Sequence, residues 1–226
     1  RGADMSAGTP LLQVQHVSHQ FPSARPDQWA LRDVSLTLYP GEVMAIVGES
    51  GSGKSTLLRC IAARVAPVHG AVLYRNASGD WTDVHQLTDR ARLQLARSEW
   101  GFVEQQASEG LRMAVSAGAN IGERLIGQGL RHYGKVRSEA LDWMAKVELD
   151  TSRIDDTPRE FSGGMRQRLQ VARNLVSGPR RVRMGEPTSG LDVSVQARLL
   201  DLIRHLVSRM RLSVLIVTHD LGVARL

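Results

Sequence analysis

Three features of this sequence predict an α/β fold with a mainly parallel sheet flanked by helices. A short apolar strand, "VMAIV" at 43–47, runs into a glycine-rich loop and then into the helical spacing of "STLLRCIAARV" at 55–65. From "SGGMRQRLQVARNLV" (162–176) onward the pattern alternates helix, strand, helix, strand, the order of a parallel sheet covered on both faces. Ahead of both lie strand-like segments with no helix between them, predicting an N-terminal antiparallel β part.

In chain order, "LLQVQHVSHQF" (11–21) alternates as a half-buried strand, and "LRDVSLTLYPGE" (31–42) is a second strand closed by a Pro-Gly turn. "GAVLYR" (70–75) returns to strand after the 55–65 helix, before the polar "NASGDWTDVHQLTD" (76–89). The middle, about 107–160, carries helical patterns broken by glycine, such as "NIGERLIGQGL" and "SEALDWMAKVEL", and reads as an inserted helical lobe. At 226 residues, 42% of them hydrophobic, the expectation is a single domain over 1–226 with that lobe inserted. Met5 reads as a natural start, so Arg1–Asp4 are left out of the fold.

Composition excludes several classes. No apolar run approaches the roughly 20 residues of a membrane-spanning helix; "SVLIV" (213–217) is the longest apolar strand candidate. The expectation is a soluble, cytoplasmic chain. One cysteine, Cys60, precludes an internal disulfide and a thiolate metal cluster, and reads as core. A net charge of +6 raises nucleic acid, but with 4% aromatics there is little for bases to stack on, and solvated arginine faces or anionic ligands account for the charge instead.

The chemistry-bearing motif is "GESGSGKST", Gly48 to Thr56, set between strand and helix. Gly48, Gly51 and Gly53 let backbone N–H groups of the loop, Ser50 and Thr56 among them, curl around a β-phosphate at a helix N-terminus. Lys54 is placed to reach the β- and γ-phosphates, and the Ser55 hydroxyl to ligate Mg²⁺. The loop alone says only that the chain binds a nucleoside triphosphate.

Motifs C-terminal to the loop narrow the family. "FSGGMRQR" (161–168) resembles the signature sequence of ATP-binding cassette (ABC) ATPases; "GEPTSGLD" (185–192) and "IVTHD" (216–220) come after it in that family's order. "GFVEQ" (101–105) is similar to its Q-loop, and "SHQF" (18–21) lies where its adenine-stacking aromatic is expected. The resemblance runs from about Leu11 to the last residue. It implies ATP and Mg²⁺ as cofactors, Phe21 against adenine, and Ser162, Gly163 and Gly164 on the γ-phosphate of ATP held by an opposite subunit. Hydrolysis then needs a head-to-tail homodimer. Glu186 would polarise the attacking water, His219 would contact the γ-phosphate and position that water, Gln105 would complete the metal shell, and Asp192 would cross the interface.

Finer text, "SEGLRMAVSAGANIGERL" (108–125), "RIDDTPREFSGGMRQRLQVARNLV" (153–176) and "GLDVSVQARLLDLIRHLV" (190–207), is similar to ATP-binding subunits of bacterial carbon–phosphorus lyase systems. These imply soluble lyase core subunits as partners in phosphonate breakdown. ATPases of oligopeptide and nickel importers share "GLDVSVQA" and "VTHDLGVA", so membrane permease subunits are the alternative partners; a nucleotide-gated clamp with little turnover is the alternative activity.

Two departures stand out. The family's Walker B strand is apolar and ends Asp-Glu, whereas this chain reads "RRVRMGE", placing Arg181, Arg183 and Gly185 on one face at period two. A sequence error, a divergent copy with weakened hydrolysis, and a local rearrangement turning the arginines toward solvent or phosphate all fit that pattern. The family also continues beyond the point where this chain stops, Leu226, which would leave its sheet short of an edge.

Overall fold

A computed structural model describes residues 8–22, 25 and 27–218. Two four-stranded sheets enclose one helix. The first is antiparallel, in the order β2-β1-β4-β5, from β1 (Leu12–His19), β2 (Leu31–Leu38), β4 (His69–Arg75) and β5 (Trp81–Asp83). The second is parallel, in the order β3-β8-β7-β6, from β3 (Val43–Val47), β6 (Trp100–Val103), β7 (Arg181–Gly185) and β8 (Ser213–Thr218). Among the described residues no helix is long and apolar enough to cross a membrane.

Period-two alternation along β7 and β8 divides the core in two. Val182, Met184, Val214 and Ile216 face one cluster, with α6 (Gly163–Leu175) and α7 (Val193–Met210). Leu215 and Val217 face the other, where α1 (Lys54–Ile61) packs between the two sheets against Leu12, Val14, Leu38 and Tyr74. Cys60 lies in that second cluster with no exposed surface, and burial pushes its thiol pKa up to about 11. It is a core residue.

Element boundaries depart from the sequence reading where a single residue stops an element. Helix α1 ends at Ile61 instead of 65, because Ala63 takes a left-handed φ of 55° and turns the chain toward β4. The polar 76–89 stretch holds the short β5, after which Thr88 caps a charged helix, α2 (Asp89–Ser98), absent from the sequence reading. Between β6 and α6 the chain is helical, with α3 (Ala107–Gly110), α4 (Ala117–Gly127), α5 (Tyr133–Lys146) and two 3-10 turns.

The arginines of β7 do not turn to solvent, which corrects that part of the rearrangement reading. Arg181 is 5% and Arg183 6% exposed. The Arg181 guanidinium lies 4.0 Å from the Trp100 ring centroid and 5.1 Å from that of Tyr74, and it donates to Ile61 O at 3.1 Å. Arg183 Nη2 donates to both Glu104 oxygens, at 2.9 and 2.8 Å, and Glu104 is also held by Arg64 at 2.9 Å. Aromatic faces and one carboxylate therefore replace the apolar contacts this face would otherwise make. The compensation is incomplete: Arg181 Nη1 and Arg183 Nε are buried without a partner, and desolvation lowers both pKa values, that of Arg181 to about 10.

Removing the Arg181 cation and removing the carboxylate that pairs with Arg183 should have opposite effects on stability. Arg181→Met removes a desolvated cation that has no carboxylate, so urea-unfolding midpoints should show no loss or a gain of up to about 4 kcal/mol. Glu104→Ala strands Arg183 and should cost about 3–5 kcal/mol by the same measurement.

Candidate nucleotide site

The loop after β3 is shaped by its own glycines and by the chain ahead of β2. Gly53 has φ +91°, and a Cβ there would lie 2.2 Å from Ala30 O, so only glycine fits. Gly53 is also the N-cap of α1 and makes no side-chain cap, which leaves the first-turn N–H groups for an anion. Lys54 Nζ is drawn back over the loop by Gly48 O and Glu49 O, both at 2.6 Å, and by Ser52 Oγ at 3.4 Å. Those acceptors fix the ammonium group over the loop's concave side.

A cleft of about 440 Å³ opens there, lined by Phe21, Ser50, Gly51, Gly53, Lys54, Ser55, Thr56, Gln105 and Glu186. Residues from separate stretches of sequence thus share one space. Gln105 follows β6 and Glu186 follows β7; Gln105 Nε2 lies 3.2 Å from Glu186 Oε2 and 3.2 Å from Ser189 Oγ. The Glu186 backbone donates to Val217 O at 2.9 Å and takes φ +41°, a conformation that costs a non-glycine residue about 1–2 kcal/mol. Gly185 has room: a Cβ would meet nothing nearer than Gln105 N at 3.8 Å.

Ser162, Gly163, Gly164 and Asp192 form a second group that does not line this cleft. Ser162 caps α6, its Oγ accepting from Met165 N at 3.3 Å. Asp192 is the N-cap residue of α7 with no side-chain cap bond. The two helix starts touch, since a Cβ on Gly163 would lie 3.4 Å from Leu191 and one on Gly164 only 2.6 Å from Val195. Ser162, Gly163 and Asp192 are exposed. His219 lies outside the described residues.

Sequence reasoning missed Trp29 and Gln28, which also line the cleft, and Ser189, which holds Gln105. Position within "PTSGLD" could have suggested Ser189; no spacing rule points to Trp29. A larger groove of about 770 Å³ runs between α5 and α7, past Trp143 and His205, and holds none of the predicted residues.

Likeness to known proteins agrees with this geometry. The model of the ABC transporter family matches residues 31–189. The chain belongs to the ABC transporter family. It is 54% identical, over 96% of its length and 82% of the other protein, to the putative phosphonates utilization ATP-binding protein PhnK of Escherichia coli K12. A putative peptide import ATP-binding protein of Brucella ovis is 35% identical over 95% of this chain, which spans 65% of that relative's length. Among solved structures, a dimeric post-hydrolysis state of the ATP-binding cassette MJ0796 bound to ADP and Pi superposes with a TM-score of 0.84 at 30% identity, covering 95% of this chain and 90% of that one. The fold is therefore that of an ABC ATPase cassette, with its parallel sheet, flanking helices and antiparallel N-terminal sheet.

If the ammonium group of this ABC cassette serves phosphate, Lys54→Ala should weaken binding of a fluorescent ATP analogue by about 1.5–3 kcal/mol, the value of a charge-assisted contact. Equal affinity in titrations of the two proteins would remove Lys54 from the site.

Proposed function

We propose that this chain is the ATP-binding subunit of a phosphonate-degrading carbon–phosphorus lyase system, which binds MgATP in the cleft, dimerises head to tail on it and hydrolyses it slowly. The observation that carries the nucleotide reading is the convergence of Phe21, the phosphate loop, Gln105 and Glu186 on one cleft. Its phosphonate part draws support from the 54% identity to the phosphonates utilization protein, against 35% to the peptide import protein.

Phe21 stacks on adenine, the loop amides and Lys54 bind the phosphates, and the Ser55 hydroxyl with the Gln105 amide would hold Mg²⁺. Among the described residues no cluster of three or more His, Cys, Asp or Glu could hold a metal alone. A magnesium ion in this cleft would be carried in on phosphate oxygens and met by one or two protein groups. When bound, it would neutralise charge on the β- and γ-phosphates. Glu186 orients the attacking water, and its carboxylate is held by contact with Gln105. The family resemblance gives the γ-phosphate contact to His219, which lies outside the described residues.

Ser162, Gly163 and Gly164 stand apart from their own cleft, so they serve the nucleotide of a second subunit, with Asp192 beside them at the interface. The dimeric form of MJ0796 is the structural precedent. Gly163→Asp places a carboxylate where that γ-phosphate would sit. In a Glu186→Gln background with MgATP, size exclusion should then show a monomer that still binds nucleotide; an unaffected dimer would refute the arrangement.

Gly185 stands where the family carries an aspartate. Its loss removes an outer-shell orienter and a negative charge while Ser55 and Gln105 stay. Since a Cβ fits, Gly185→Asp should raise steady-state phosphate release at least roughly tenfold and lower the Mg²⁺ requirement. A parent already equal to the variant would mean that Gly185 is not at the metal corner. For the physiological role, the Gly185→Asp chain should restore growth on methylphosphonate to an Escherichia coli strain lacking its own phosphonates utilization ATP-binding protein. Restored dipeptide uptake in a permease-ATPase mutant, without growth on methylphosphonate, would favour the importer reading.

A further inference from the structure

Strand β6 is an outer strand of the parallel sheet among the described residues. Such a strand leaves alternate backbone groups without a sheet partner. Here α6 supplies the partners from its side chains. Asn174 Oδ1 accepts from Phe102 N at 3.0 Å, Gln170 Oε1 accepts from Glu104 N, and Gln170 Nε2 donates to Glu104 O at 3.3 Å. One turn nearer the helix start, Gln167 Nε2 donates to Gln105 O at 2.9 Å, and Gln170 Nε2 also donates to Gln167 Oε1 at 3.0 Å.

The fit follows from two repeats. Four residues of helix rise about 6 Å and two of strand about 6.6 Å, so amides four apart on α6 meet backbone groups two apart on β6. The three side chains are 3%, 0% and 4% exposed, in the order Gln167, Gln170, Asn174. Buried amides are costly unless paired, so three in a row on one helix mark a demand that apolar packing could not meet. Gly110 packs so tightly on this row that a Cβ there would lie 2.7 Å from Gln170 Cδ.

We propose that Gln167, Gln170 and Asn174 are positioning residues that clamp the end of β6 to α6, so that Gln105 moves as one body with the helix whose start carries Ser162, Gly163 and Gly164. Contact of those three residues with a partner's nucleotide is then delivered to Gln105 and, across 3.2 Å, to Glu186. The delivery step rests on the proposed head-to-tail dimer; the clamp itself does not.

Two hydrogen-exchange measurements test the two parts. Gln170→Met keeps the volume and removes both amide functions. Without nucleotide, it should speed exchange of the Glu104 N–H at least about tenfold while leaving the Phe102 N–H protected, as loss of one buried bond requires. Unchanged exchange at Glu104 overturns the clamp. In the Glu186→Gln background, MgATP should protect residues 162–168 and 102–106 together, and adding Gln170→Met should keep the first protection and abolish the second. Equal protection of 102–106 with and without Gln170 overturns delivery, whereas no protection of 162–168 in the parent overturns the dimer and leaves the nucleotide-free result standing. ATP-analogue affinity within about twofold of the parent verifies that the variant is folded. Should Gln170→Met fail to fold, Asn174→Leu removes the acceptor of the Phe102 N–H, whose exchange should then speed at least about tenfold, and unchanged exchange there overturns the clamp.

Discussion

A strand in the middle of a parallel sheet must be buried on both faces, and β7 meets that demand with two arginines on one of them. The α1 side of the sheet is arranged around this constraint. Trp100 and Tyr74 offer ring faces to Arg181, and the Tyr74 hydroxyl donates to Glu99 at 2.8 Å. Phe102 lies between two guanidiniums, 5.4 Å from Arg64 and 5.2 Å from Arg183. Glu104 takes the charge of Arg183 head on. Because Phe102 pairs with Arg183 in parallel register, that ion pair ties together the ends of β6 and β7, from which Gln105 and Glu186 emerge.

Much of this could be read from the sequence, and the reason is periodicity. The strand at 43–47, the phosphate loop and the helix-strand alternation after residue 162 are local patterns, and local patterns survive without knowledge of contacts. Convergence of Phe21 with Gln105 and Glu186 was legible only through family resemblance, since these residues lie on different elements with no spacing rule between them. The burial of Arg181 and Arg183 was not legible at all. Period two gave their shared face, but what met that face depended on Trp100, Tyr74 and Glu104, three residues that carry no signal individually. Helix α2 was missed for a different reason: its charged text, "DRARLQLARS", buries no residue fully and so shows little apolar stripe.

Gln105 is held from two sides by different physics. On the α1 side, the preceding residue, Glu104, is fixed by ions whose attraction survives because both are largely out of water. On the α6 side, the same stretch of backbone is fixed by neutral amides that gain from direction instead of charge. A neutral row of this kind brings no net charge to the cleft. The ionic side could add one, but Glu104 neutralises the charge of Arg183, and Arg64, with half its side chain exposed, is screened by water.

That division bears on Gly185, which ends β7 on the face that carries Arg183. If Gly185 stands at the metal corner proposed above, that corner is one carboxylate short, and a bare arginine two residues earlier on the same face would deepen the deficit. Glu104 prevents this by placing both carboxylate oxygens on Arg183 Nη2, so the cation is neutralised before it reaches the cleft. On that proposal the deficit stays near a single charge, at an outer-shell position where such groups contribute roughly 10 to 100-fold. Glu186 and Gln105 remain 3.2 Å apart with their backbones fixed from β8 and α6. On the proposed reading the side chains stay in place while the field weakens, and such a defect would slow chemistry that depends on the metal without abolishing the proposed binding of phosphate by Lys54 and the loop amides.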